Sequence, residues 1–162
     1  TFLNQQPIQL SNIFANRGGS GIDGIVSSIS GYSSGSKDPL IAIVGDLSFF
    51  HDLSSLLLLG KLKTTCVLIV INNNGGGLFS WLPVQKSKFF TKYFKTPHDT
   101  TGKSFCEGAR VDYENPSSKQ SFSRVLKKAI RTNKSTVIEI FSDSDFSPSW
   151  ILKNRKKIIT FD

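Results

Sequence analysis

Residues 40–46 (LIAIVGD) and 66–73 (CVLIVINN) decide the fold. In each stretch a continuous apolar run leads into a polar side chain, Asp46 in the first and Asn73 in the second. Continuous apolar runs of this kind are typical of parallel strands that are buried on both faces. A third run, TVIEIF, occupies residues 136–141. Because helical patterns alternate with the runs, the sequence predicts an α/β fold of three layers, α/β/α, with a mostly parallel sheet of about five or six strands.

Three helices and one further strand are predicted around these runs. The helices are expected at 20–31, 47–59 and 117–132, and a short strand is expected at 13–15. Ser117 and Gln120 have the spacing of a capping box. The residues of 47–59 are apolar nearly all round, which predicts a deeply buried helix.

Length and composition indicate one domain over residues 1–162, and the lack of methionine with Thr1 in first place predicts a fragment of a longer chain. No apolar run reaches the roughly 18 residues of a membrane span. The formal net charge is +8, and lysines alternate with aromatic residues at 86–95. Nucleic-acid binding usually needs a more concentrated basic stripe, so we expect a solvated face or an acidic protein partner instead.

The cysteines and histidines offer no catalytic cluster. Cys66 and Cys106 are too few for a disulfide framework and are expected to be reduced core thiols. His51 is expected to make a structural hydrogen bond beside Asp52, and His98 is expected to be solvated in a loop. Because the sequence offers no acid–base group of its own, we expect the chain to bind a cofactor rather than to supply catalytic side chains.

Polar residues follow the predicted strands, where ligands bind in open parallel sheets. Asp46 follows the first run and Asn73 the second, so a strand–helix–strand crossover can bring their oxygens together. The glycines at 75–77 allow a backbone carbonyl to turn inward. Such hard oxygen ligands suit Mg²⁺, which also binds phosphate oxygens. The alternative is that Asp46 only caps a helix.

A second interpretation concerns residues 19–24, GSGIDG, which fit the GxGxxG pattern of dinucleotide-binding domains. Asp46 lies about where the ribose-binding acid of that pattern is found. However, the glycines do not emerge from a long apolar strand, and this interpretation leaves the asparagines at 72–74 without a role.

Three longer stretches resemble one enzyme family: NRGGSGIDG at 16–24, GDLSFFHDL at 45–53 and NNNGGGLFSWLP at 72–83. The pair GD…NN resembles the GDG…NN signature of thiamine-diphosphate enzymes, with Leu47 in place of the third glycine. The three stretches together are similar to 2-succinyl-5-enolpyruvyl-6-hydroxy-3-cyclohexene-1-carboxylate synthases, the MenD family of menaquinone and phylloquinone synthesis. The resemblance is closest over residues 13–83.

This resemblance implies a role for each of several residues, on the thiamine-diphosphate-binding fold. Those expected to hold Mg²⁺ (or Mn²⁺) are Asp46, Asn73 and the carbonyl of Gly75. Those expected to bind the cofactor are Ser20, Ile22, Gly45, Leu47 and Ser48. Those expected to bind substrate are Arg17, for a carboxylate, and Leu78, Phe79 and Leu82, as a pocket wall.

The resemblance also implies the reaction. The family decarboxylates 2-oxoglutarate on thiamine diphosphate and adds the resulting succinyl-semialdehyde carbanion to isochorismate. The activating glutamate comes from a separate pyrimidine-binding domain, and the active site lies between two subunits of a homodimer or tetramer. We therefore expect no catalytic residue in this chain, no activity from it alone, and a bacterial cytoplasmic or plastid stromal location.

Two alternatives stay open besides the dinucleotide interpretation. Another thiamine-dependent decarboxylase or lyase would keep Asp46 and Asn73, but need not carry Arg17 or the 75–83 stretch. A non-catalytic binding fragment would keep the fold without turnover.

Overall fold

A computed structural model describes residues 13–15 and 21–142, which form a parallel sheet with helices on both faces. Its strands are β1 (Leu40–Gly45), β2 (Cys66–Asn72), β3 (Asp112–Glu114) and β4 (Ser135–Phe141). Its α-helices are α1 (Ile25–Gly35), α2 (Asp46–His51), α3 (Leu56–Leu59), α4 (Lys103–Ala109) and α5 (Lys119–Ala129). The strand order is β1-β2-β4-β3, and every neighbouring pair is parallel. Single turns of 3₁₀-helix at Leu53–Ser55, Gly77–Trp81 and Pro83–Lys86, and of π-helix at Thr91–Lys95, connect the elements.

The sheet separates two hydrophobic clusters, which confirms the three-layer α/β/α prediction. On one face, side chains of β1, β2 and β4 pack with Val26, Phe49 and Cys106 from the helices α1, α2 and α4. On the other face, alternate residues of β2 and β4 pack against the apolar stripe of α5. Because β2 and β4 are covered on both faces, they carry the continuous apolar runs from which the fold was predicted.

The three long strands are confirmed, but the strand count is not. The expected burial of the first strand on both faces is wrong, because Ile41 and Ile43 of β1 are 47% and 69% exposed. The described residues contain four strands, fewer than the predicted five or six. Residues 13–15 do not form the predicted strand. Strand β3 was missed because its three residues, Asp112–Glu114, carry no apolar run and pair only with β4.

The helix predicted at 47–59 is interrupted at Asp52. The Asp52 carboxylate accepts hydrogen bonds from the Ser55 hydroxyl at 2.6 Å and from the Ser27 backbone N–H at 2.9 Å. Such side-chain bonds compete with helix continuation, and here one of them satisfies a donor in the first turn of α1. The expectation of deep burial is also wrong in part, since Leu57 and Leu58 are 58% and 52% exposed.

The two outer helices begin later than predicted. Helix α1 starts at Ile25, after Gly24 in a left-handed conformation, rather than at residue 20. Helix α5 is capped by Ser118, whose hydroxyl accepts from the Ser121 N–H in a capping box. The predicted pair, Ser117 and Gln120, is therefore displaced by one residue.

Both cysteines are buried and unpaired, as expected. Burial raises the pKa of Cys66 to about 11. Burial, with Glu139 and Glu107 nearby, raises the pKa of Cys106 to about 12. No helix within 13–15 and 21–142 combines the length and the apolar character needed to cross a membrane.

Replacement of Gly60 by Ala is expected to lower the free energy of unfolding by about 1–3 kcal/mol. A Cβ at this position would lie 2.2 Å from the Ala109 carbonyl oxygen, so α3 and α4 would have to move apart. The control is Gly31→Ala within α1, where a Cβ meets no atom within 4 Å. Because alanine favours helix, that variant should gain up to about 1 kcal/mol. Urea unfolding followed by circular dichroism measures both, and changes of the same sign would contradict the close approach.

Candidate functional site

The register of β1 and β2 brings their carboxyl ends side by side. Gly45, the last residue of β1, is paired with Ile71 near the end of β2. The chain then turns into α2 at Asp46 and into a loop at Asn73. Two residues far apart in the sequence therefore meet at one edge of the sheet, as the crossover argument predicts.

The carboxylate of Asp46, the side-chain amide of Asn73 and the carbonyl oxygen of Gly75 converge at this edge. The side chain of Asp46 is only 4% exposed, and its Oδ2 accepts the Gly75 N–H at 2.8 Å. One terminal atom of the Asn73 amide lies 2.6 Å from the Gly75 carbonyl oxygen and 3.3 Å from Asp46 Oδ2. If that atom is nitrogen, it donates to both oxygens. If it is oxygen, three hard oxygens face one another, which is the ligand chemistry that Mg²⁺ prefers.

The described part of the chain contains no group of three or more His, Cys, Asp or Glu side chains that could hold a metal. A cation at this edge would therefore depend on the amide and backbone oxygens as much as on the carboxylate. That donor set fits a hard cation such as Mg²⁺ and is poorly suited to a thiolate- or imidazole-binding metal.

The conformation of Gly75 is what lets its carbonyl join the group. Its φ is +120°, which L side chains rarely adopt, and a Cβ would lie 2.1 Å from the Lys95 carbonyl oxygen. That same carbonyl accepts the N–H of Gly76 at 2.6 Å. The glycine run thus permits the backbone at Gly75 and Gly76 to lie close to the backbone at Lys95.

The remaining predicted residues are placed unevenly. Gly45 is exposed, and a Cβ there would meet no atom within 4 Å, while Leu47 and Ser48 are half-buried in the first turn of α2. The Leu47 N–H donates to Asp46 Oδ1 at 2.8 Å. Ile22, Leu78 and Leu82 are exposed, and Phe79 is half-buried. Arg17 and Ser20 lie outside the described residues.

The sequence did not predict the part played by His98. Its Nε2 lies 3.0 Å from Asp46 Oδ2, and its side chain is 18% exposed, so the expectation of a solvated loop residue was wrong. The other expectation was wrong too, since His51 is exposed and it is Asp52 that makes the buried bonds. No spacing pattern connects residue 98 with residue 46, because folding alone brings the loop containing His98 to the strand ends.

Glu139 is the second residue that the sequence did not identify. It is fully buried on β4, where its carboxylate accepts from Asn72 Nδ2 at 2.7 Å, the Gly102 N–H at 3.0 Å and the Tyr113 hydroxyl at 2.6 Å. Burial, together with this hydrogen bond, raises the pKa of Tyr113 and keeps its hydroxyl a donor. A charged residue inside the apolar run TVIEIF was the available signal, because burying a carboxylate requires partners.

Asn72 connects Glu139 to the candidate site. Its Nδ2 donates to Glu139 and to the Thr100 carbonyl at 3.0 Å, and its Oδ1 accepts the Asn74 N–H at 3.0 Å. The first asparagine of the NNN run therefore holds the turn, and the second presents its amide to Asp46.

Comparisons with known proteins agree with this arrangement. Residues 15–140 match the family model described as "Thiamine pyrophosphate enzyme, C-terminal TPP binding domain". The chain is 42% identical to the 2-succinyl-5-enolpyruvyl-6-hydroxy-3-cyclohexene-1-carboxylate synthase of Chlorobium phaeovibrioides, over 77% of this chain and 22% of that protein. It is 39% identical to the synthase of the same name from Chlorobaculum parvum, over 87% of this chain and 24% of that protein. The chain thus spans about a quarter of the length of these curated relatives.

A solved structure shares the fold. The benzoylformate decarboxylase of Polynucleobacter necessarius superposes with a TM-score of 0.65 at 14% identity, over 74% of this chain and 23% of that one. At this identity the likeness concerns the fold alone, and it supports the α/β/α architecture with a parallel sheet.

Replacement of Glu139 by Gln is expected to lower the free energy of unfolding by about 1–3 kcal/mol, because an amide leaves at least one of three buried donors without an acceptor. The matched control is Glu114→Gln. Glu114 lies on β3, and its contact with Lys128 at 3.5 Å is largely exposed, so the expected change is below about 1 kcal/mol. Urea unfolding measures the free energy of unfolding of both variants. Equal losses would show that the buried hydrogen bonds of Glu139 add no more stability than the exposed contact of Glu114.

Proposed function

The chain belongs to the thiamine pyrophosphate enzymes, as their C-terminal TPP-binding domain, and we propose that it holds the diphosphate end of thiamine diphosphate through Mg²⁺. The observation that carries this proposal is the convergence of Asp46 Oδ2, the Asn73 amide and the Gly75 carbonyl at the ends of β1 and β2. Mg²⁺ completes its coordination with phosphate oxygens, so a cation at this edge would bind a diphosphate beside it. Mn²⁺ would serve in the same place.

The neighbouring residues would bind the cofactor itself. Gly45, Leu47 and Ser48 lie at the turn from β1 into α2, next to Asp46, and would contact the diphosphate. The open space at the Gly45 Cα leaves room for a ligand to approach the backbone. Ile22 would support the bent cofactor, and Ser20 would lie near it.

We propose further that the complete enzyme is a 2-succinyl-5-enolpyruvyl-6-hydroxy-3-cyclohexene-1-carboxylate synthase of menaquinone or phylloquinone synthesis. The identity of 42% and 39% to synthases of that name supports this proposal. The enzyme would decarboxylate 2-oxoglutarate and join the product to isochorismate. When bound, thiamine diphosphate supplies the electron sink for this chemistry.

In such a synthase this chain would contribute binding and would exclude water. Arg17 would bind a substrate carboxylate, for which a guanidinium group is well shaped. Leu78, Phe79 and Leu82 would form an apolar wall, and the exposure of Leu78 and Leu82 is compatible with a partner surface that covers them. That partner would be a pyrimidine-binding domain with the activating glutamate, from a second subunit of a homodimer or tetramer. The location would be bacterial cytoplasm or plastid stroma.

Calorimetric titration of the chain with thiamine diphosphate is expected to show binding with Mg²⁺ present and none after chelation. Asp46→Asn should weaken binding about tenfold or more, because it removes a charged ligand of the cation. The control is Asp38→Asn, at an exposed position before the amino end of β1. Binding that is indifferent to Mg²⁺, or binding of NAD⁺ in its place, would contradict the proposal.

The chain by itself is expected to show no turnover of 2-oxoglutarate and isochorismate, because the activating glutamate would belong to the partner domain. The full-length parent protein should consume both substrates together. Release of CO₂ from 2-oxoglutarate at the same rate without isochorismate would favour a simple decarboxylase. Turnover by the 162-residue chain alone would contradict the need for a partner domain.

A further inference from the structure

The ring of His98 is held by three contacts of different kinds. Its Nε2 lies 3.0 Å from Asp46 Oδ2, and its Nδ1 accepts the Thr100 N–H at 3.0 Å. The ring of Phe50 packs edge-on against it, with centroids 4.8 Å apart. Because Nδ1 uses its lone pair as an acceptor, the proton of the neutral ring is on Nε2. His98 therefore donates a hydrogen bond to Asp46.

The backbone at His98 is tied to the turn that carries Asn73 and Gly75. The N–H groups of His98 and Asp99 both donate to Asn74 Oδ1, at 3.0 and 2.8 Å. In return, Asn74 Nδ2 donates to Asp99 Oδ1 at 2.7 Å. Asn74 and Asp99 adopt left-handed backbone conformations, with φ of 61° and 48°, and the reciprocal bonds hold them there.

Through these contacts, the loop that contains His98 packs against Asp46 and against the turn that carries Asn73 and Gly75. Asp46 Oδ2 is held from one side by the Gly75 N–H and from another by His98 Nε2. A carboxylate restrained in this way has lost its rotational freedom before any cation arrives. Carboxylates that bind metals are commonly held by such outer hydrogen bonds, and loss of one costs about 10–100-fold in metal affinity.

We propose that His98 is a positioning residue for the cation site, acting through the hydrogen bond from its Nε2 to Asp46. This inference rests on the proposed function, because it assumes that Asp46 is a ligand of the cation. It adds a residue that lies outside the strand-end motifs and that reaches the site only through the fold of the 95–100 segment.

Substitutions at His98 that keep or remove the donor test this proposal. The probe is Mn²⁺, whose free concentration is read by electron paramagnetic resonance as the full chain is titrated, with and without thiamine diphosphate. His98→Ala should raise the dissociation constant of Mn²⁺ about 10–100-fold. His98→Gln, whose amide nitrogen can take the place of Nε2, should restore affinity to within about threefold of the unmodified chain. His98→Asn, whose amide is nearer to the Nδ1 position, should not restore it.

The matched control is His51→Ala, because His51 is the other histidine of the chain and is exposed at the end of α2. Its dissociation constant should equal that of the unmodified chain. If His98→Ala fails to fold, as judged by circular dichroism, the comparison of the Gln and Asn variants decides the question. Equal affinities of these two variants would then overturn the proposal.

Failure of this inference and failure of the proposed function give different results. An unmodified chain that binds no Mn²⁺ contradicts the proposed function and, with it, the inference that rests on it. An unmodified chain that binds Mn²⁺ as tightly as His98→Ala overturns only the role of His98. Tighter binding by His98→Ala also overturns it, because His98 would then compete with the cation for Asp46.

Discussion

The parallel pairing of β1 with β2 is the constraint on which the rest of the structure depends. Their register places Gly45 beside Ile71, so the residues that follow each strand emerge at the same edge of the sheet. A shift of one residue in β1 would remove Val44 from the cluster that also contains Val26 of α1, and would turn Ile41 and Ile43, which are largely exposed, toward it. The clusters on both faces of β2 and on one face of β1 thus fix the positions of Asp46 and Asn73, although neither residue belongs to those clusters.

A buried hydrogen-bond network anchors the loop that follows β2 to the sheet. Glu139 lies within the sheet and is costly to bury, but its carboxylate is satisfied by three donors from separate parts of the chain. One of them, Asn72, uses its remaining oxygen to hold the Asn74 N–H. The turn that presents the Asn73 amide and the Gly75 carbonyl is therefore anchored to the centre of the sheet rather than left as a free loop.

The 95–100 segment holds the same turn from the other side. The Lys95 carbonyl approaches Gly75 more closely than a Cβ would allow, and His98 contacts Asp46. The two loops share reciprocal hydrogen bonds through Asn74 and Asp99. This arrangement fits a TPP-binding domain, because side chains that are already oriented before the ligand arrives lose less entropy on binding.

The sequence by itself determined the fold class and the two positions around which the candidate site is built. The apolar runs at 40–44 and 66–71 identify parallel strands, although only the second is buried on both faces. The polar residue after each run is local information. The break of the 47–59 helix at Asp52 and the short strand β3 were missed, because both depend on contacts with distant residues, Ser27 and β4.

Only the tertiary structure decided which further residues support the site. Glu139 was visible as an anomaly within an apolar run, but its three donors come from positions 72, 102 and 113 and have no common spacing. His98 gave no signal at all, since its meeting with Asp46 follows from the path of a loop rather than from any periodic pattern. Hydrophobic periodicity encodes which face of an element is buried, whereas hydrogen-bond partners between loops are set only when the folded backbone brings them within reach.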